Sequence, residues 1–210
     1  MTDNFFMDNQ QNINNKFGYC EMYEWAQIPK IPSLFGRIVQ FDKTYTHTIK
    51  LAENTENIVG ITTINSTIDS DSYPYWPNMF LYNEYGDIYI TNANIALAKT
   101  EYDDVNEISY IKTYKQETYD PIVNENYDSN KQYIPRQNRK EWIRVCLLGK
   151  CIVEDDGNCK AGEYCTLYSG NDESKFGTVV PAKKSDKFKL YVQYRVSEKT
   201  ILVFNKPYYE

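Results

Sequence analysis

Glu21 and Glu24 flank Met22 and Tyr23 in the stretch CEMYEW. Paired carboxylates do acid–base work when burial pushes their proton affinities apart. At a spacing of three they share a face in a helix or turn, but they point apart on a strand. From residue types alone, two solvated glutamates are the plainer account. The chain has five cysteines, and Cys146, Cys151, Cys159 and Cys165 fall close together. Their spacings contain no Cys-x-x-Cys knuckle, and the single histidine, His47, is remote, so a zinc site is not expected. An odd count without a leader sequence predicts reduced, structural cysteines, Cys20 included. Cys146 and Cys151 are read as lying on one strand, where their odd separation would put them on opposite faces. His47 is read as an ordinary strand residue and Asp155-Asp156-Gly157 as a hairpin turn. Asp69, Asp71, Asp103 and Asp104 lack calcium-loop spacing. No glycine-rich nucleotide loop or serine elbow is present. No cofactor and no metal is therefore expected.

The composition narrows the partners. The 210 residues carry a net charge of -6 and no dense basic cluster; PAKKSDKFK is the most basic stretch and reads as a turn or strand edge. Nucleic acid, which needs a basic footprint, is not an expected partner. No apolar run is long enough to span a membrane as a helix, and the polar start MTDNFFMDNQQNINNK has no signal-peptide order, so no membrane partner is expected either. Twenty tyrosines suit half-buried strands and broad protein interfaces.

The elements that must position these residues are mostly strands. GRIVQFD, TYTHTIKLAE, NIVGITTI, EISYIKTYKQETYD, EWIRVCLLGK, FKLYVQYRV and TILVFNKP all carry strand signals. Gly60 suggests a bulge or close approach. MFLYNEYGDIYIT reads as a hairpin turning at Glu84–Asp87. ANIALAKTEYDD alone has helical composition. The expected fold is mainly β, with two linked β-rich halves, sandwich- or barrel-like, one short helix and a long polar loop. Residues 1–18 are read as a flexible N-terminal arm and 19–210 as a β domain, with a sub-boundary near 120–140.

That loop, YDSNKQYIPRQNRKEW, is unusually specific in wording. Tyr127, Asp128, Tyr133, Ile134, Pro135, Arg136, Glu141 and Trp142, with Leu147–Lys150 and Gly149 following, resemble the motif of the intramolecular chaperone autoproteolytic domains (peptidase G-two) of phage tail spikes and neck appendages. VEDDGNCKAGEYC resembles that family's Asp-Asp-Gly-x-Cys hairpin and later Gly-x-Tyr-Cys. EMYEWA, NIVGITT and MFLYNEYGDI resemble further family segments, in the right order across residues 19–205.

The resemblance implies a trimerising chaperone that cuts itself from the end of a fibre. It implies a virion protein, assembled in the host cell, with itself as partner in a homotrimer. Other virion proteins would be reached through the N-terminal arm. The family's cleavage lies just before the Glu-x-x-Glu-Trp opening, at a small residue near Asp. Here that place reads NNKFGYCE, without Ser or Asp, and only eighteen residues precede Tyr19. Both departures predict a capsid, tail or fibre protein that stands alone and has lost self-cleavage. If chemistry survives, Glu21 is the candidate acid, with Asn14 or Asn15 as partners. The alternative is an active self-cleaving chaperone released from a longer tail or fibre protein; a third is an adaptor with no trimer.

Overall fold

The computed structural model describes residues 18–45, 47–66, 68–69, 75–76 and 78–206. It divides into two units, and the second interrupts the first. Unit 1 comprises Met1–Ser72 and Ile134–Glu210, and unit 2 is Tyr73–Tyr133. Both are built of strands.

Unit 1 contains β1 (Tyr19–Trp25), β2 (Ile38–Phe41), β3 (Thr48–Leu51), β4 (Ile58–Thr63), β5 (Ile68–Asp69), β8 (Trp142–Glu154), β9 (Tyr164–Leu167), β10 (Val179–Pro181), β11 (Leu190–Ser197) and β12 (Thr200–Asn205). The ladder runs β10-β9-β11-β12-β8-β4-β2-β3-β1-β5, and β1 pairs back onto β8. Strands β1, β3, β2, β4 and β8 therefore close into a ring, which removes their free edges. Val39, Ile49, Leu51, Ile143, Val145 and Trp25, joined by Tyr23 and Val59, form one apolar cluster supplied by all five strands of the ring. The next residue along several of these strands faces the other way. Ile38, Ile61, Cys146 and Cys20 join Val153, Ile201, Val203, Val192, Leu190 and Leu167 in a second core beneath β9–β12. Alternation with a period of two makes both cores from the same strands.

β8 links the two. Its first half pairs with β1 and β4, and its second half pairs with β12 from Gly149 to Glu154. The change of partner falls at Gly149, whose φ of 110° only glycine adopts readily. This bend corrects the expectation for two cysteines. Cys146 and Cys151 are neither reduced, as expected, nor on opposite faces of a straight strand; they form a disulfide across the bend, with Cα atoms 6.8 Å apart. Cys20, Cys159 and Cys165 are free and buried, as expected of structural thiols.

Unit 2 is dominated by a two-stranded ribbon, β6 (Ile90–Asp103) and β7 (Ile108–Pro121), paired in continuous register from Ile90↔Pro121 to Asp103↔Ile108. The expected helix at ANIALAKTEYDD is thus a strand. Its alanines suit a helix locally, but the β-rich partner across the ribbon decides the backbone state. The turn is held by Asp103, whose Oδ1 accepts the backbone N–H groups of Val105 and Asn106. The Asn106 side-chain amide donates to Oδ2 at 2.8 Å, and this bond first, then the two backbone ones, favours the charged carboxylate and holds its pKa below the usual value. Beside the ribbon, Asn83 closes the expected turn before Gly86, and Tyr82 bridges to Ile88. Trp76 packs edge-on against Tyr133 and lies under the Lys131 ammonium at 4.4 Å. His47 sits in an exposed turn ahead of β3 and not within a strand. Helical content among the described residues is limited to two short 3-10 turns, Arg136–Asn138 and Glu173–Lys175.

Candidate functional site

Among the described glycines, Gly18, at the junction that leads into β1, leaves the least room for a side chain. A Cβ at Gly18 would lie 1.6 Å from the Leu148 carbonyl oxygen, and one at Gly149 would lie 2.7 Å from the Gly18 Cα. A Cβ at Gly60 would likewise lie 2.3 Å from the Cys146 carbonyl oxygen. Three glycines from distant parts of the chain thus let the junction, β4 and the bend of β8 touch backbone to backbone. Gly60 is the close approach that the sequence suggested.

Glu21 follows directly. It stands opposite Val145 in the β1–β8 ladder, so it shares the face of the residues that fill the ring. Its carboxylate is held by two phenols, Tyr19 Oη at 2.6 Å on Oε1 and Tyr23 Oη at 3.1 Å on Oε2. The three residues alternate on one face of a strand, which is what lets i and i+2 meet. Glu24 lies opposite Trp142 and has the other parity. The two glutamates therefore point apart and do not form an acid–base pair. Glu21 is fixed and half-buried three residues from Gly18, a position from which a carboxylate could accept a proton from a neighbouring group. Asn14 and Asn15, the candidate partners, lie outside the described residues.

The motif loop has a structural job that its wording reflects. Pro135 caps the 3-10 turn Arg136–Asn138, with the Pro135 carbonyl accepting from Asn138 at 2.9 Å. The turn delivers two guanidinium groups to the Trp142 ring, Arg136 at 4.2 Å and Arg139 at 5.2 Å from the centroid. Glu141 lies 3.8 Å from Arg139, and its carbonyl accepts the Trp25 backbone N–H at 2.8 Å. The loop therefore pins the start of β8 to the end of β1. Arg136→Ala should lower stability by about 1 kcal/mol through loss of the cation–π contact. Urea unfolding would read this as a shifted midpoint with an unchanged slope. Ile134 is exposed here, and Tyr133 packs on Trp76 within unit 2.

A second polar cluster escaped the sequence reading. Asp155 is not merely a turn residue. Its buried carboxylate takes two bonds from Arg195, at 3.1 and 2.8 Å, and the Cys159 backbone N–H at 3.1 Å. Asp155, Asp156 and Cys159 place ligand-type atoms within 4.8 Å of one another. A cation there would meet the Arg195 guanidinium, which already neutralises Asp155 and supports a structural role. The hydrogen bond that the Cys165 thiol gives to Cys159, together with burial, pushes that thiol far up and keeps it protonated. A protonated thiol neither ligates metals nor attacks. The only signal in the sequence was Asp-Asp-Gly; its partner Arg195 lies forty residues on and is invisible to local pattern.

The chain is similar to known proteins over much of its length. A family model described as Peptidase_G2, IMC autoproteolytic cleavage domain, matches residues 6–188. The preneck appendage protein of Bacillus phage PZA is 32% identical over 130 residues, which is 61% of this chain and 13% of that protein. The pre-neck appendage protein of Bacillus phage phi29 is 30% identical over 135 residues, 62% of this chain and 14% of that one. The chain thus spans a small part of the length of these relatives. In fold it is similar to the C-terminal fragment of phage phi29 gene product 12, with a TM-score of 0.57 and 22% identity over 90% of this chain and 99% of the fragment. Pre-mature gene product 12 gives a TM-score of 0.60 at 21% identity, covering 91% of this chain and 22% of that one.

Proposed function

The chain belongs to the Peptidase_G2, IMC autoproteolytic cleavage domain family, and from that membership we propose that it serves a virus as a structural protein of the particle, a trimerising assembly domain that no longer cuts itself. Its relatives are phage neck appendage proteins, and its fold matches nearly the whole of a C-terminal fragment of one of them. Its neighbours would be other components of the virion, reached through the segment ahead of Gly18.

The observation that carries the trimer is the ribbon of unit 2. A lone two-stranded hairpin is marginally stable in water. Here the strands run fourteen residues each, and Val105 and Ile111 stand 89% and 72% exposed. A second and third copy of the chain would cover such a ribbon. Sedimentation equilibrium of the full chain should give a trimer, and Ile111→Asp should shift it toward monomer. A monomer for the unaltered chain at high concentration sinks this reading.

Loss of cleavage rests on the junction. NNKFGYCE offers no Ser or Asp, and both oxygens of Glu21 are occupied by phenols. The rival reading, an active self-cleaving chaperone released from a longer tail or fibre protein, draws on Glu21 standing so near Gly18. The two separate when a fibre segment is fused upstream and the product is weighed intact. An uncut fusion is expected. A fragment starting near Gly18, abolished by Glu21→Gln, would establish the rival.

A further inference from the structure

An open cleft of about 460 Å³ lies where the end of β1, the loop after it and the start of β8 come together. Its lining is largely apolar, with Met22, Ile28, Phe35 and Trp142, and Ile28 and Phe35 keep more than a third of their surface exposed. Two cations, Lys140 and Arg144, stand beside them, and among the described residues no carboxylate lines the cleft. Arg144 donates to the Ile64 carbonyl, which fixes its guanidinium at this edge. An apolar surface bordered by positive charge suits a short peptide with bulky apolar side chains between acids.

The chain carries such a peptide. Asp3-Asn4-Phe5-Phe6-Met7-Asp8 places two aromatic rings and a thioether between two carboxylates. We propose that this segment seats in the cleft of its own chain, with Phe5, Phe6 and Met7 on the apolar lining and Asp3 and Asp8 beside Lys140 and Arg144. The tether is long enough. The cleft lies at the far end of β1 from Gly18, about 23 Å away at the rise of a strand. The residues between Phe6 and Gly18 span up to roughly 40 Å when extended. The charges match two for two, and the inference rests on the reading that the chain is not cut at the junction.

The test uses the full chain with Phe6 replaced by the photoreactive p-benzoylphenylalanine, irradiated when dilute, digested and analysed by mass spectrometry. Cross-links are expected within one chain, to peptides carrying Ile28, Phe35 or Trp142. Lys140→Glu should cut their yield roughly two- to fivefold, the range of one exposed ion pair, and Asp8→Lys in that background should restore it. Lys140 is exposed, so this variant should fold. Cross-links outside the cleft, cross-links that join two chains, or a yield indifferent to Lys140→Glu would each overturn the proposal.

Discussion

Arg195→Ala should destabilise the protein by about 3 kcal/mol, far more than an ordinary surface arginine. The reason lies with the partner. The Asp155 side chain is fully buried, whereas Arg195 keeps 32% of its side-chain surface. Removing the guanidinium strips two donors from a carboxylate that water cannot reach and leaves it one backbone N–H. The same guanidinium also donates to the carbonyls of Cys159, Ser197 and Glu198, at 2.6, 3.1 and 3.0 Å. Asp155→Asn should cost less, because Arg195 keeps those carbonyls and its access to solvent. Combining the two changes should cost less than their sum, since each already breaks the pair. Arg195→Lys should not rescue, because one ammonium cannot reproduce the planar fork. Urea unfolding of the four proteins decides the matter, and a loss below about 1 kcal/mol for Arg195→Ala would show that Asp155 finds other donors.

Gly60→Ala should be comparably severe, at about 3 kcal/mol, for a reason of geometry and not of charge. The added methyl would stand 2.3 Å from the Cys146 carbonyl oxygen and 2.9 Å from Val145 Cγ1. The first is backbone, so no rotamer change relieves it, and β4 must move away from β8. Gly86→Ala is the matching control. Nothing lies within 4 Å of its methyl, and only its φ of 85° opposes the change, which amounts to about 1–2 kcal/mol. Thermal melts of both variants should rank them in that order. The reverse order would mean that the ring adapts at β4.

Much of this architecture was legible from local pattern, and what was not has a common cause. Alternation in GRIVQFD, NIVGITTI and TILVFNKP marked strands because each has one face in a core. Gly60 was legible because a glycine inside a strand has few other uses. The motif loop was legible by its wording, though not its purpose; the stacking of Arg136 and Arg139 on Trp142 depends on a 3-10 turn that no periodicity announces. ANIALAKTEYDD misled because alanine favours helix wherever tertiary pairing does not override it. The disulfide was missed because a straight strand separates Cys146 from Cys151, and the bend comes from Gly149 changing partners. The Asp155–Arg195 pair was missed because its two halves meet only through the fold. For Glu21 and Glu24 the sequence left two geometries open, and the strand selects the one that parts them.

The closure of the ring also orders events in time. A ribosome makes β1 early, yet its ladder partner is β8, so Cys20 waits for Cys146 and Glu21 for Val145. Contacts so distant in sequence form late, after nearer strands have paired. Gly18 reaches its seat against Leu148 and Gly149 only when nearly three quarters of the chain exists. The ladder around Glu21 therefore forms only after β8 has been made. A chain stalled before β8 cannot assemble it, and whatever this junction does, it does only once β8 has joined the ring.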